Sequence, residues 1–491
     1  MFNWKILIIL LLAAFLRFYH LGSNPPSLSW DEAAIGWNAK TIFKTRLDEY
    51  GTHLPWSFKS FGDYKSPAYI YLTAPIVGLL GMNEITVRLL SVFAGIGSVY
   101  LIYLIINQLF PQEKNLGLIA AALLAITPWH LMMSRPAFEP NLALFFVLAT
   151  IYFFLKALTK PINYLFCSIA VALSLYSYHS PKIFLPLLLL TWTILLRKRI
   201  FIRSRAKYLL TTVFLAAVLI WPLIKDNLLQ SGANRFSGTT IFYKKDVKLI
   251  PTLINNYFIH FSPQFLFFGG QNIPRVQLRR VGELLFIEAP FLLLGLLWLI
   301  KNRRQTQAKL LFSWLLVGPV PAMIGFEVPH PIRAFNLLPA LIIVTSLGLT
   351  YLKRPLFKII ILLAFIINIG FFVNQYFVHY PVDSASDWQF GYKEAALIAQ
   401  QYEDKVSQII FSSYYGQPYV LTYFYQNRDP QKVLWGSMAK YVFRGIKWNE
   451  DKNHKDVLII GSPEEIPSGA LGIIKDINFP NGQTAFRVVK L

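Results

Sequence analysis

Long apolar segments separated by short polar connections run through the first three-quarters of the chain. A helix needs about 20 apolar residues, within a tolerated range of roughly 17 to 25, to cross the hydrocarbon core of a bilayer. Suitable segments lie near residues 4–20, 88–109, 116–133, 140–158, 162–178, 182–198, 207–224, 283–300, 309–326, 333–351 and 356–377. The pattern therefore predicts a polytopic α-helical membrane protein with about 11 transmembrane helices.

The apolar stretch 67–82 is short and contains a proline, and its assignment decides the topology. The connections 197–207, 301–309 and 353–358 are rich in Lys and Arg and contain no acids, so the positive-inside rule puts them in the cytoplasm. They share a side with the N-terminus only if 67–82 does not cross the bilayer. We therefore expect 67–82 to lie along the outer interface, within an external loop 21–87 that contains interfacial helices.

The same topology makes residues 225–282 a second external loop. This loop carries the basic residues Lys244, Lys245, Lys248, Arg275, Arg279 and Arg280, which runs against the positive-inside rule. Its length is close to the limit of about 60 residues beyond which charge hardly steers insertion. A basic external loop is also suited to an anionic lipid substrate.

The N-terminal apolar segment resembles a signal peptide, but Arg17, Phe18 and Tyr19 follow it where a cleavage site requires small residues. We therefore expect an uncleaved first helix. We predict a multi-pass protein of the plasma (inner) membrane. Its N-terminus is cytoplasmic and its C-terminal domain is extracytoplasmic.

After residue 380 the apolar segments shorten and acidic residues become frequent. Periodicity predicts an amphipathic helix at 389–402, a strand at 406–411, a helix at 417–426 and a buried strand at 456–461. The chain is therefore expected to comprise a transmembrane catalytic domain, 1–380, and a small soluble α/β domain, 381–491.

Composition agrees with this class. The 491 residues are 55% hydrophobic and 15% charged, with a net charge of +22. The basic residues cluster between apolar helices, so they indicate topology and contact with membrane lipid rather than nucleic acid. The single cysteine, Cys167, excludes an intrachain disulfide and a multi-thiolate metal site.

Polar residues gather in the predicted external connections. Asp31 and Glu32 are adjacent just after the first span, where an ionised group costs several kcal/mol unless it has a partner or a function. The other connections on this side contribute Lys65, Glu84, Arg88, Arg135, Glu139, His179, Lys182, His330 and Arg333. Acids and bases from distant loops thus recur at one membrane level, which predicts a site at the outer interface.

These residues resemble a known pattern. Asp31-Glu32 after span one, Lys65-Ser-Pro-Ala-Tyr69, Arg88 at the start of span two, Ser134-Arg-Pro followed by Glu139-Pro140, and the Pro-His-Pro-Ile-Arg333 loop look like the GT-C glycosyltransferase superfamily. The resemblance is to its protein O-mannosyltransferase and aminoarabinose-transferase-like branch. It implies a glycosyltransferase that moves a sugar from a polyprenyl-phosphate-linked donor to an acceptor glycan, lipid or protein.

The expected chemistry is a single displacement that inverts the anomeric carbon. Asp31 is the candidate general base, a role worth roughly 10²- to 10⁴-fold in rate. The resemblance to the family implies that Glu32 assists it or binds the acceptor. Lys65, Arg88 and Arg333 would hold the departing phosphate. The second acid or acceptor contact would be Glu139, with Lys182 and His330 as lesser candidates.

Each assignment has a structural alternative. Asp31 and Glu32 suit the first turn of a helix, and Arg88 has helical spacing to Glu84. Glu139 precedes a proline and could simply begin a helix. The alternatives for the remaining candidates, Lys65, Lys182 with His179, and Arg333, are positions at the membrane interface.

Oxygen ligands from Asp31, Glu32 and Glu139 would suit a divalent cation, which some GT-C enzymes use. Nearer relatives are thought not to need one, and none of the eight histidines has zinc-ligand spacing. We therefore expect no required metal or other cofactor.

Two other functions fit the same topology. A flippase or other transporter of lipid-linked glycans should carry ionisable groups within its spans near the midplane, whereas these spans are nearly free of charge. A non-catalytic membrane scaffold leaves the external acids and bases unexplained.

Overall fold

The computed structural model describes residues 3–226, 240–243, 248–269, 273–434, 436 and 438–491. Parts of the predicted external loop 225–282 lie outside these residues, including Lys244 and Lys245. The described remainder of that loop contains short helices that are named below.

Each of the predicted spans contains a helix. In chain order the α-helices are α1 Trp4–Phe18, α2 Trp30–Thr45, α3 Pro67–Leu80, α4 Glu84–Leu109, α5 Leu116–Ile126, α6 Pro128–Met133, α7 Glu139–Ala157, α8 Asn163–Ser177, α9 Pro181–Leu195, α10 Arg197–Ile200, α11 Ala206–Asp226, α12 Leu249–Phe258, α13 Ala289–Lys301, α14 Thr306–Val317, α15 Val320–Met323, α16 Leu338–Leu349, α17 Pro355–Asn374, α18 Tyr380–Asp383, α19 Tyr392–Tyr402, α20 Pro418–Tyr425, α21 Pro430–Leu434 and α22 Trp448–Asp451. Short 3₁₀ or π segments lie at Arg203–Arg205, Ile241–Tyr243, Ile259–Phe261, Gln264–Phe268, Phe286–Glu288, Phe335–Leu337 and Gln375–His379.

Among the described residues, four helical segments are long and apolar enough to cross a membrane: Glu84–Leu109, Glu139–Ala157, Arg203–Asp226 and Pro355–Asp383. The total of 11 spans stays a prediction. α3 is a helix of 14 residues, shorter than the roughly 20 that a span requires, and it contains Pro75. Its predicted position along the interface is compatible with that length.

The outer surfaces of α11 and α17 are apolar. Leu210, Phe214, Ile359 and Ile367 expose between 57% and 74% of their surface. Such a density of exposed large apolar side chains is unfavourable in water and favourable in lipid. The protein is therefore a helical membrane protein.

Glycines allow two helices of the membrane half to pack closely. A Cβ added at Gly295 of α13 would lie 1.9 Å from the carbonyl oxygen of Val344 in α16, and one at Gly348 would lie 1.8 Å from that of Phe291. Small residues let helix backbones approach in this way, which increases van der Waals contact within a bilayer.

The C-terminal part forms an α/β structure. Its strands are β3 Gln408–Phe411, β4 Tyr441–Phe443, β5 Val457–Gly461, β6 Ile473–Asn478 and β7 Thr484–Lys490, and they form one sheet in the order β4-β3-β5-β7-β6. β3 is parallel to β4 and β5, and β7 is antiparallel to β5 and β6. Two further short strands, β1 Phe58–Ser60 and β2 Asp63–Lys65, lie earlier in the chain.

The chain divides into two compact units. The first contains Met1–Tyr19, Asp63–Ala68 and Ser91–Gln375, and the second contains His20–Gly62, Tyr69–Leu90 and Tyr376–Leu491. Most of the predicted external loop 21–87 thus belongs to the same unit as the C-terminal sheet. The proposed division at 380/381 lies near the start of the last segment of that unit.

Candidate active site

Helix α2 begins with the two predicted carboxylates. Ser29 is its N-cap residue, and the Ser29 hydroxyl oxygen accepts a hydrogen bond from the Glu32 backbone N–H at 3.3 Å. The Glu32 carboxylate accepts in return from the Ser29 N–H at 3.1 Å, which completes a capping box. Asp31 lies between them in the first turn and is half-buried. The predicted helix-start alternative therefore describes the local structure, and the acids suit the positive end of the helix dipole.

Glu32 also forms a buried ion pair with Arg88. Arg88 Nε donates to Glu32 Oε1 at 2.9 Å and Arg88 Nη2 donates to Oε2 at 3.2 Å, with both side chains fully buried. The remaining Arg88 bonds go to the carbonyl oxygens of Leu21, Pro25 and Ser27 at 2.8, 3.2 and 2.6 Å. All five guanidinium N–H groups thus have protein acceptors.

This pairing differs from the helical alternative for Arg88. Glu84 bonds instead to Lys393, with Nζ and Oε1 2.7 Å apart. Arg88 was predicted to contact the donor phosphate, but in this structure it holds Glu32 and the chain that leads into α2. Asp31, Glu32 and Arg88 are the predicted site residues of the second unit.

The first unit contains the other predicted residues. Lys65 ends β2, Glu139 is the first residue of α7 and Lys182 lies in the first turn of α9, all three half-buried. Lys182 Nζ lies 3.4 Å from His179 Nδ1. His330 and Arg333 lie in the loop that follows α15.

Three polar connections meet within this first unit. The indole nitrogen of Trp129, in α6, donates to the Pro331 carbonyl oxygen at 3.1 Å. The side-chain amide of Asn336 donates to the Ser180 hydroxyl, also at 3.1 Å. Helix α6 and the segments that precede α9 and α16 are therefore neighbours.

Residues that the sequence analysis did not select hold the loop 324–334, called the Arg333 loop below, through hydrogen bonds. Asn256 in α12 donates from Nδ2 to the carbonyl oxygens of Met323 and Gly325, at 3.0 and 3.1 Å. The His330 N–H donates to Nε2 of His260 at 3.1 Å, while His260 Nδ1 lies 2.7 Å from the Asn256 carbonyl oxygen. These two bonds require the neutral Nδ1–H form of His260.

Arg333 itself lies against backbone. A Cβ added at Gly325 would lie 2.0 Å from Arg333 Nη1, so the guanidinium occupies space that only glycine leaves open. Arg333 Nη2 lies 4.0 Å from the exposed Glu327 carboxylate. Neither Asn256 nor His260 carries a motif signal, because both act through tertiary contacts with a distant loop.

Two further buried arginines stabilise helix ends. Arg135 donates to the carbonyl oxygens of Leu16, Arg17 and Tyr19 at the end of α1, at 2.5, 3.1 and 2.7 Å. Arg17 donates to the Ala125 carbonyl at the end of α5, at 3.2 Å. The last carbonyl groups of a helix have no hydrogen-bond donor within the helix. The guanidinium groups of Arg135 and Arg17 donate to them instead. From the sequence, Arg135 was predicted only to be one of the basic residues in the external connections.

Metal ligation has little geometric support. Within the described part of the chain, no three His, Cys, Asp or Glu side chains are grouped as metal ligands would be. Both Glu32 oxygens already accept hydrogen bonds from Arg88 or Ser29, so this carboxylate does not fit a metal site as it stands. The expectation that no metal is required stays a prediction.

The fold has counterparts among solved structures. ArnT from Cupriavidus metallidurans in the apo state aligns with a TM-score of 0.59 over 99% of this chain and 97% of that protein, at 12% identity. The Archaeoglobus fulgidus oligosaccharyltransferase aligns with a TM-score of 0.53 over 94% of this chain and 69% of that one, at 13% identity. The chain therefore shares its overall fold with these two proteins.

Sequence comparison finds relatives for part of the chain. Residues 64–221 match the family described as dolichyl-phosphate-mannose-protein mannosyltransferase. A putative mannosyltransferase of Bacillus subtilis, YkcB, is 27% identical over 233 residues, which cover 45% of this chain and 31% of that relative. The chain thus aligns with about a third of the length of this curated relative. Residues 64–221 are therefore similar to this mannosyltransferase family, and the chain as a whole shares its fold with ArnT.

Proposed function

We propose that this protein transfers a sugar from a polyprenyl-phosphate-linked donor to an acceptor hydroxyl on the extracytoplasmic face of the membrane, with inversion at the anomeric carbon. One observation carries the proposal: the buried Glu32–Arg88 pair and the Ser29 capping box fix the turn that presents Asp31. The fold supports it, since ArnT from C. metallidurans bound to undecaprenyl phosphate aligns with a TM-score of 0.57.

In this mechanism Asp31 removes the proton from the acceptor hydroxyl as the oxygen attacks the anomeric carbon. The bond from that carbon to the phosphate oxygen breaks through an oxocarbenium-like transition state, and the polyprenyl phosphate leaves with the bonding electrons. No enzyme-bound sugar forms, so a second nucleophilic carboxylate is not required. Glu32 supports Asp31 through the helix start rather than by touching the substrate.

All the donors of Arg88 already bond to protein acceptors, so other cations are proposed to bind the phosphate. Lys65 and Arg333 are the proposed contacts to the departing phosphate, with Lys182 and His330 beside them and Glu139 as an acceptor contact. Charge-assisted bonds to phosphate oxygens strengthen as the sugar bond breaks, so these residues would affect turnover as well as binding. The fastened Arg333 loop supports this assignment.

The orientation is supported by contacts among the basic connections. Phe110, just before Lys114, packs on Trp298 near the end of α13, with ring centroids 5.7 Å apart. Trp192 near the end of α9 donates to the Leu310 carbonyl and the Ser313 hydroxyl in α14. The connections near 114, 197–207 and 301–309 are therefore neighbours, in agreement with one cytoplasmic side.

The test compares the purified wild type with Asp31→Asn in sugar transfer from a panel of polyprenyl-phosphate sugars. We expect the variant to lose roughly 10²- to 10⁴-fold in turnover, because the amide cannot accept the proton. Asp404→Asn, the same change at an exposed position, should keep wild-type turnover. The anomeric configuration of the product, read by NMR, tests inversion.

Equal turnover of wild type and Asp31→Asn would reject the base assignment. If the wild type transferred no sugar from any donor in the panel, a flippase or scaffold function would be favoured. A vesicle assay for movement of the same lipid-linked sugars would then distinguish those two functions.

A further inference from the structure

The C-terminal part of the chain contacts the helix that carries Asp31. The Trp30 N–H, the first of α2, donates to Gln389 Oε1 at 3.2 Å. Gln389 Nε2 donates to the Asp387 carbonyl oxygen at 2.9 Å, which fixes the orientation of the amide. The first N–H groups of a helix have no partner within it. Gln389 therefore completes the start of α2 from a position 359 residues later in the chain.

A second contact comes from Tyr425 at the end of α20. Its phenol oxygen lies 3.1 Å from the Ser27 hydroxyl and accepts from the Leu28 N–H at 3.4 Å. Burial raises the pKa of Tyr425, so the phenol keeps its proton and can donate to Ser27. Arg88 holds the carbonyl oxygen of the same Ser27 at 2.6 Å. Tyr425 and Arg88 thus fix one segment of backbone from two directions.

The rest of α2 packs along α20 and the residues just after it. Trp37 packs on Tyr423, with ring centroids 5.1 Å apart. A Cβ added at Gly36 would lie only 2.5 Å from the Phe424 ring. Near the end of α2, Lys40 Nζ donates to the side-chain oxygen of Asn427 at 2.8 Å. The contact between α2 and the C-terminal part is therefore continuous along the helix.

We infer that the C-terminal α/β part completes the active site, and that Gln389 and Tyr425 are positioning residues which fix the orientation of Asp31. This inference rests on the proposed role of Asp31. Both residues act on the backbone that immediately precedes Asp31, where a displacement of about 1 Å can cost on the order of 10²-fold in rate. Neither needs to touch the substrate.

The experiment removes single contacts. Tyr425→Phe deletes only the hydroxyl, and Gln389→Met deletes the acceptor while keeping the length of the side chain. We expect kcat to fall about 5- to 50-fold in each variant, the effect of one or two lost hydrogen bonds and a looser base, with the donor KM within about twofold of wild type. Gln389→Glu keeps an acceptor oxygen and should recover much of the loss.

The matched control is Tyr415→Phe. Tyr415 belongs to the same C-terminal part and packs on Phe479 and Phe486, with ring centroids 6.0 and 5.3 Å apart. Its variant should keep wild-type kcat. A fall in stability without a change in kcat at Tyr425 or Gln389 would indicate a merely structural role and would overturn the inference.

A second measurement is independent of turnover. Hydrogen–deuterium exchange in the peptide spanning 27–35 should be faster in Tyr425→Phe and Gln389→Met than in wild type and Tyr415→Phe. Unchanged exchange together with unchanged kcat would refute the positioning role. A wild type inactive with every donor would count against the proposed function instead, and the exchange result alone would then decide whether these contacts hold the turn.

Discussion

Glu32 and Arg88 show how one buried pair organises the proposed site. Burying two charges is costly, and the cost is recovered only when their geometry is good and their remaining hydrogen-bonding groups are satisfied. Both conditions hold here, since the pair is bidentate and carbonyl oxygens take the other guanidinium donors. Removing one partner should therefore be far more damaging than removing both.

We predict that Arg88→Ala lowers the free energy of unfolding by about 3–5 kcal/mol, because it leaves the Glu32 carboxylate buried without its cation. The double variant Glu32→Gln with Arg88→Met should be more stable than Arg88→Ala. Thermal unfolding in detergent would measure both. Lys393→Ala, which breaks the more exposed pair with Glu84, is the control and should cost no more than about 1 kcal/mol.

At the scale of single residues, the sequence predicted a role for Asp31 and Glu32 but did not predict the partner of Arg88. Glu84 precedes Arg88 by four residues on one helix, so local spacing favours that pair. The observed partner lies 56 residues away, and only the folded chain brings the two together. Asn256, His260, Gln389 and Tyr425 were missed for the same reason.

The Arg333 loop depends on a neutral histidine. Burial lowers the pKa of His260 to about 4, and burial together with the charge of Arg333 lowers that of His330 to about 3. Both residues lie in connections outside the predicted spans. An unfolded histidine titrates near 6.5, so the folded state binds fewer protons below that pH. The stability that these imidazoles contribute is complete above about pH 6.5 and is lost as the pH falls toward 4.

We therefore expect the wild-type unfolding temperature to fall between pH 6.5 and pH 4, and to fall less steeply in His260→Gln. The exposed His53 provides a control, because His53→Gln should follow the wild-type curve. Thermal unfolding across this pH range is the measurement. Parallel curves for wild type and His260→Gln would show that His260 does not link the fold to pH.

Helix α2 packs too closely against α20 to accept a side chain at Gly36. Because Phe424 and Val87 are buried at this point, Gly36→Ala should force both to move, at a cost of about 1–3 kcal/mol. We expect lower thermal stability and lower transfer activity. Gly370→Ala is the control, since a Cβ there meets no atom within 4 Å. Equal losses in both variants would contradict this account of the interface.

Elements were predictable where their periodicity was strong. The helices at 392–402 and 418–425 and the strands at 408–411 and 457–461 lie within the predicted segments. β6 and β7 were not predicted, although Asn481-Gly482 between them is a typical hairpin turn signal and Gly482 has a φ of +86°. Strand β4 has three residues, too few to show an alternating pattern.

For the whole molecule, the sequence predicted a helical membrane protein but not its division into units. Hydropathy reports whether a segment prefers lipid, and it contains no information about which distant segments pack together. The segments 20–62 and 69–90 join the C-terminal part through contacts such as those of Trp30 and Lys40. Those contacts involve single side chains that no periodic pattern marks.

The proposed orientation can be tested by cysteine labelling in a Cys167→Ser background. Asn481→Cys, in the exposed turn before β7, should react with a membrane-impermeant maleimide applied to intact cells. Arg304→Cys, between α13 and α14, should react only after the cells are permeabilised. The reverse pattern would invert the topology, and labelling of both in intact cells would refute the cytoplasmic assignment of the basic connections.

The interleaving of α2 with the C-terminal part has a consequence for biosynthesis. The carboxylate turn precedes the apolar helices in the chain, whereas its supports at 389 and 425 follow them and are synthesised later. A nascent or truncated chain can therefore insert into the bilayer while the turn that carries Asp31 is still unsupported. Under the proposed mechanism, a chain that ends before residue 389 would lack both supports of the Asp31 turn and should not transfer sugar.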